Sequence, residues 1–130
     1  MPHIILDYSA NLDDMIDMHA LCVALKDAAA ATWVFPHAGI RVRAHAATHS
    51  VVADGDPRHS YVDITIRLGA GRSEAQKTHA TEAIFEAAKV FTMDHMANHP
   101  FMLSLELREI DPDHSRKVSS IRDYLPPEMH

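Results

Sequence analysis

The sequence predicts an α+β fold in which a β-α-β unit is used twice. It forms one four-stranded, mainly β sheet with both helices on one face. Three observations predict it. Strand-length runs at 40–47 and 61–68 alternate apolar with polar residues. Two longer runs carry apolar residues at the three- and four-residue spacing of a helix. The order strand, helix, strand occurs in residues 2–58 and again in 59–112, with matching element lengths, the mark of an internal repeat. The chain has 130 residues. That is one domain's length, read as a single domain over 1–130 with a C-terminal tail at 113–130.

The first strand is His3–Tyr8. Ile4, Leu6 and Tyr8 take one side; His3, Ile5 and Asp7 take the other. So apolar a strand is expected to be buried on both faces. Asn11 and Asp13 offer helix N-caps, and Asp13, Asp14 and Asp17 suit the positive end of a helix dipole. Met15, Met18, Leu21, Cys22 and Leu25 recur at helical spacing as the inner stripe, and Ala28–Ala31 extends it. Pro36 and Gly39 mark the exit.

In Ile40–Ala47, Ile40, Val42, Ala44 and Ala46 alternate with Arg41, Arg43 and His45, giving a strand with a basic stripe. Thr48–Ser60 holds the turn signal Asp54-Gly55-Asp56-Pro57. Tyr61–Leu68 alternates again, with Val62, Ile64, Ile66 and Leu68 in phase. Gly69-Ala70-Gly71-Arg72 interrupts. Ser73 and Gln76 form a capping box that opens the second helix. Its inner stripe is read as Ala80, Ala83, Ile84, Ala87, Phe91 and His95; Pro100 ends it. Phe101–Ile110 is the fourth strand, with Phe101, Leu103, Leu105 and Leu107 in phase.

Right-handed crossovers make each half a parallel pair and place both helices on one face. The other face has no helix over it. With strands one, three and four so apolar, that face is expected to expose an apolar patch larger than a monomer tolerates. A homo-oligomer with sheets turned inward follows, and ring closure as a cyclic trimer is one solution. Ile121, Tyr124 and Leu125 of the tail are apolar enough to pack on a neighbour.

Composition narrows function. Twelve Lys and Arg stand against eighteen Asp and Glu, a formal charge of -6. Without a basic block, the chain is a poor partner for nucleic-acid phosphates or an anionic membrane. No apolar run approaches the ~18–20 residues that span a bilayer. Met1-Pro2-His3 leads straight into Ile4-Ile5-Leu6 without a signal pattern. The single cysteine, Cys22, excludes an intrachain disulfide and a multi-cysteine zinc site, and points to a reducing, cytoplasmic setting.

Pro2 bears most on chemistry. With Met1 removed, its ring nitrogen is a free secondary amine at the head of a buried strand. Burial disfavours the cation. One arginine about 6 Å away, at an effective dielectric of about 20, adds roughly 2.8 kcal/mol against protonation, or about two pKa units. A proline so placed is a competent general base near neutrality. The plainer alternative is a proline that follows the initiator and does nothing.

Arg41 and Arg43 share one side of their strand with no acid beside them there. Arg72 precedes the Ser73 cap, where free backbone N–H groups and a guanidinium fork suit a carboxylate. Surface or interface salt bridges are the alternative use of all three. Gly69-Ala70-Gly71 lacks the third glycine and the acidic partner of a dinucleotide fingerprint. Of eleven histidines, His45/His49 and His95/His99 are four apart, but no H-E-x-x-H pattern occurs, and no dedicated metal site is expected. Cys22 reads as a small core residue. No G-x-S-x-G motif is present.

Pro2-His3-Ile4-Ile5-Leu6-Asp7-Tyr8-Ser9-Ala10-Asn11, Phe35-Pro36-His37-Ala38-Gly39-Ile40-Arg41-Val42-Arg43-Ala44-His45, Ala53-Asp54-Gly55 and Leu68-Gly69-Ala70-Gly71-Arg72-Ser73 together are distinctive. Over roughly residues 2–110 the chain resembles the 5-carboxymethyl-2-hydroxymuconate isomerases of the tautomerase superfamily. The resemblance implies a tautomerase-like doubled β-α-β fold assembled as a homotrimer. It implies a cofactor-independent isomerase of bacterial homoprotocatechuate degradation, acting on a small carboxylate-bearing dienol with no metal. By position, Pro2 matches the acid/base proline, and Arg41 and Arg72 the arginines that hold substrate carboxylates. Arg43 and His45 share the stripe and are further substrate-binding candidates. The tail from about Asp111 fits the family less well, and His37 stands where an apolar residue is expected. A retained Met1 would acylate Pro2 and abolish its basicity. A tautomerase of another enol, such as an aryl-pyruvate, and a non-catalytic trimeric binding protein are the alternatives.

Overall fold

The computed structural model describes residues 2–130. Its main elements are β1 (His3–Ser9), α1 (Met18–Ala31), β2 (Arg41–Ala47), β3 (Ser60–Gly69), α2 (Glu74–Asn98) and β4 (Phe101–Ile110). Short 3-10 turns occupy Ala10–Asp14, His37–Gly39 and three places in the tail. The sheet order is β2-β1-β3-β4. β1 and β2 are parallel, β3 and β4 are parallel, and the two halves join antiparallel through β1 and β3. The expected α+β architecture, with both helices on one face, is present.

Local chemistry accounts for the element ends. α1 starts later than Asn11 or Asp13 suggested, because Asp17 is its cap and accepts from the Ala20 N–H at 3.0 Å. Asp13 instead accepts from the Tyr8 hydroxyl at 2.7 Å. Asn11 donates to the Pro57 and His59 carbonyls, tying the 48–59 loop to the end of β1. At α2 the capping box forms as read: Ser73 Oγ accepts from the Gln76 N–H, and the Gln76 side chain accepts from the Ser73 N–H.

The core lies between the sheet and the helices. Ile4, Leu6, Val62, Ile64, Ile66 and Leu68 meet Leu21, Leu25, Ala29, Ala80, Ile84 and Ala88. Two inner-stripe readings shift. Met15 is exposed ahead of α1, and Phe91 is exposed on α2, where Ala88 and Thr92 hold the buried positions. The i, i+4 succession Ala80, Ile84, Ala88, Thr92 is the true stripe; the stronger hydrophobicity of Phe91 misdirected the reading.

The uncovered face corrects a larger expectation. In register its rows run Arg41–His3–Arg67–Arg108, then Arg43–Ile5–Thr65–Glu106, then His45–Asp7–Asp63–Ser104. Ile4, Leu6 and Tyr8 of β1 and Val62, Ile64, Ile66 and Leu68 of β3 are buried on the helix side; Ile5 and Tyr61 lie half-buried on this face, where Asp7, Asp63 and Arg67 are exposed. Strand one is therefore not buried on both faces, and no broad apolar patch demands cover. Among the described residues, no helix is long and apolar enough to cross a membrane.

Candidate active site

Pro2 immediately precedes β1 and is fully buried. Its carbonyl accepts from the Arg41 N–H at 3.1 Å, which extends the β1–β2 ladder by one rung. Its nitrogen lies just ahead of the first strand residue, His3. Met1 lies outside the described residues, so the reading that it is removed is not addressed by them.

Around this point the sheet register gathers charge. His3 sits directly between Arg41 on β2 and Arg67 on β3. Arg43 Nη1 donates to His3 Nδ1 at 3.2 Å. An imidazole that accepts at one nitrogen carries its proton on the other, so His3 is a neutral donor at Nε2. Burial, aided by repulsion from Arg67, Arg43 and Arg41, holds its pKa below the ordinary value. A cleft of about 730 Å³ opens here, with His3, Arg41 and Arg67 on the sheet and Arg116 and Lys117 on the tail.

Arg72 belongs to a neighbouring but separate set of contacts. Its Nε donates to the Val34 carbonyl at 3.2 Å and its Nη1 to the Gly69 carbonyl at 3.0 Å. Its guanidinium lies 5.5 Å from the centre of the Phe35 ring. These contacts fix the plane and leave Nη2, with one hydrogen of Nη1, as an outward edge able to take a carboxylate. The turn that presents Val34 is built locally. Thr32 Oγ1 donates to the Ala29 carbonyl at 2.7 Å and accepts from the Val34 N–H at 3.2 Å. Trp33 takes a left-handed φ of 58° to make the turn, a strained conformation for a bulky side chain that costs on the order of 1–2 kcal/mol.

Of the residues read as site candidates, Pro2, Arg41 and Arg43 meet at the cationic end of the sheet, Arg43 through His3. Arg72 is held apart by Val34 and Gly69. His45 is exposed on the third row, opposite Asp7. Sequence reasoning missed Arg67 and the role of His3. The alternation of β3 put Arg67 out of phase with the core, but only the pairing of β3 with β1 places it beside His3. Elsewhere, His95 is buried under the helix-covered face. Ser60 Oγ donates to the Pro100 carbonyl, so His95 Nε2 donates to Ser60 Oγ at 3.2 Å. Burial pushes the Cys22 thiol up, which favours the unreactive protonated form. Among the described residues, no three His, Cys, Asp or Glu side chains are grouped to hold a metal.

The doubled β-α-β sheet with paired helices is a fold shared with solved proteins of the tautomerase superfamily. A solved fused 4-OT shares it at a TM-score of 0.62, with 20% identity, over 93% of this chain and 97% of that one. The match within the superfamily is narrower. Residues 2–125 fit the family described as 5-carboxymethyl-2-hydroxymuconate isomerase, and the chain belongs to that family of isomerases. It is 34% identical over 121 residues to an Escherichia coli 5-carboxymethyl-2-hydroxymuconate Delta-isomerase, covering 93% of this chain and 96% of that protein. A 5-carboxymethyl-2-hydroxymuconate isomerase from Deinococcus radiodurans R1 superposes with a TM-score of 0.87 at 30% identity, covering 96% of this chain and 95% of that one.

Proposed function

We propose that this chain is a cofactor-independent, cytoplasmic isomerase that moves a proton within 5-carboxymethyl-2-hydroxymuconate, a step of homoprotocatechuate degradation. Pro2, freed by removal of Met1, is its general acid and base. The carrying observation is the fully buried Pro2 at the head of β1, bonded to the backbone of Arg41. Family membership supports the isomerase reading.

The chemistry follows from the residues. With Met1 attached, the Pro2 nitrogen is an amide and cannot act as a base. Once freed, burial and nearby guanidinium charge favour its uncharged form. It then takes a proton from one end of the conjugated dienol and returns one to carbon at the other, so no atom is gained or lost. Arg41 and Arg72 hold carboxylates and stabilise the negative charge that spreads over the dienolate. Arg43 serves through its hold on His3, and His45 is a more distant contact. Assembly as a homotrimer belongs to the same proposal. With the open face polar, its support is the family resemblance together with exposed Met102, Val118 and Tyr124, and sedimentation velocity tests it.

The deciding experiment uses protein whose N-terminus has been verified by mass spectrometry. Pro2→Ala should fold normally and lose about 10²–10⁴ in kcat, the usual worth of a positioned acid/base. The pH–rate profile of the parent should show a limb titrating near neutrality that an N-terminally blocked sample lacks. Normal activity in Pro2→Ala refutes the proline mechanism.

A further inference from the structure

We propose that the cleft between the open sheet face and the tail is a subsite for the substrate's remote carboxylate, with Arg67 and Lys117 as its specificity-determining residues. The inference rests on the function proposed above and deepens it. A muconate carries two carboxylates and the carboxymethyl arm a third, so the substrate brings three negative charges. Arg41 and Arg72 answer two of them.

The cleft has the means to answer the third. Arg67 is exposed, and no carboxylate lies within ion-pair distance of it among the described residues. Its row neighbour Arg108 is already neutralised, its Nε donating to Glu106 at 2.7 Å. Lys117 is exposed, faces the same cleft from the tail, and has no ion pair or hydrogen bond among the described residues. The one acid lining the cleft, Asp111, is committed: its carboxylate accepts from the Asp113 N–H and from His114 Nδ1, each at 2.9 Å. Those bonds hold its carboxyl below the usual range, so it stays ionised and turned to its own turn. His3 adds a neutral N–H rather than a further charge. The cleft is therefore cationic and open, and among the described residues Arg67 and Lys117 bring charges to it that no ion pair answers.

Its position fits a subsite of one active site. His3 lines it and is bonded in sequence to Pro2, and adjacent Cα atoms are about 3.8 Å apart. The subsite requires that a six-carbon diene acid with its reacting end at Pro2 extend past His3 into this cleft. Because the tail supplies one wall, the tail distinguishes substrates that carry the extra carboxylate from those that do not.

The test compares the tricarboxylate 5-carboxymethyl-2-hydroxymuconate with the dicarboxylate 2-hydroxymuconate, using N-terminally verified protein. Arg67→Gln and Lys117→Gln should each raise KM for the tricarboxylate about 10-fold or more, with kcat changed less than about threefold. The rise should exceed that for the dicarboxylate by at least fivefold, and Arg67→Lys should restore most of it. Equal losses on both substrates, or none, overturn the subsite. Calorimetric binding of both compounds runs in parallel. An inactive parent that still prefers the tricarboxylate, with the preference lost in Arg67→Gln, refutes the catalytic reading and keeps the subsite; a parent with no preference removes it.

Discussion

On its helix side the sheet presents Ile4, Leu6, Val62, Ile64, Ile66 and Leu68, all fully buried. On its other side the same strands present His3, Asp7, Asp63 and Arg67, residues that no apolar core would accept. One side is stabilised by removing surface from water. The other keeps its charges in water and spends them on recognition, graded from a cationic row at the head of β1 to an acidic row two pleats further on. Folding and function are thus divided between two faces of one sheet, and period-two alternation lets each be altered with little effect on the other.

The strongest way to break that division is to cut into the covered face. Leu6→Ala should cost about 2–5 kcal/mol in denaturant unfolding, the range for a truncated buried leucine. A loss under 1 kcal/mol would mean the core is looser than the packing of Leu6 indicates. Arg72→Lys tests the place where the division blurs, since that side chain braces backbone and, in the proposed function, also holds a substrate carboxylate. Losing the bonds to Val34 and Gly69 should cost about 1–2 kcal/mol of stability. Substrate affinity should fall as well, because an ammonium cannot reproduce the fixed fork.

Smaller effects come from two histidines, one under each face. Burial lowers the pKa of His95, and burial together with three arginines lowers that of His3. Each therefore binds its proton less well folded than unfolded. Between the ordinary value of 6.5 and the lower folded value the unfolded chain holds more protons, so stability falls as pH falls through that window. His95→Gln, which keeps a donor for Ser60, should flatten part of this acid limb in thermal melts; an unchanged limb would assign it to other groups. The mildest case is Thr65→Ala on the open face, expected to alter stability within about 0.5 kcal/mol. A larger loss in a sample that also dissociates would show this face to be an interface.

Much of this was legible in the residues. Alternation at 40–47 and 61–68, the Ser73–Gln76 box and Pro100 located their elements to within about a residue, because strand period and capping are local chemistry. Pro2, Arg41 and Arg72 stood out for the same reason: their chemical types and neighbours are written in the chain. The start of α1 was misread because Asn11 and three aspartates compete for one cap and only the fold decides that Asp13 serves Tyr8 while Asp17 serves Ala20.

What the amino-acid order settled alone was therefore periodic and local: the element types, their repeated order, and which side of each strand is apolar. Tertiary structure decided everything that depends on register. Pairing β1 against β3 put Arg67 beside His3, and folding back the tail put Lys117 across from both. It also turned every apolar side chain of β1 and β3 but Ile5 and Tyr61 toward the helices, leaving the other face mainly polar. Residues more than sixty positions apart meet only when strands align. No local pattern encodes that alignment, because it arises from the summed burial of a whole face.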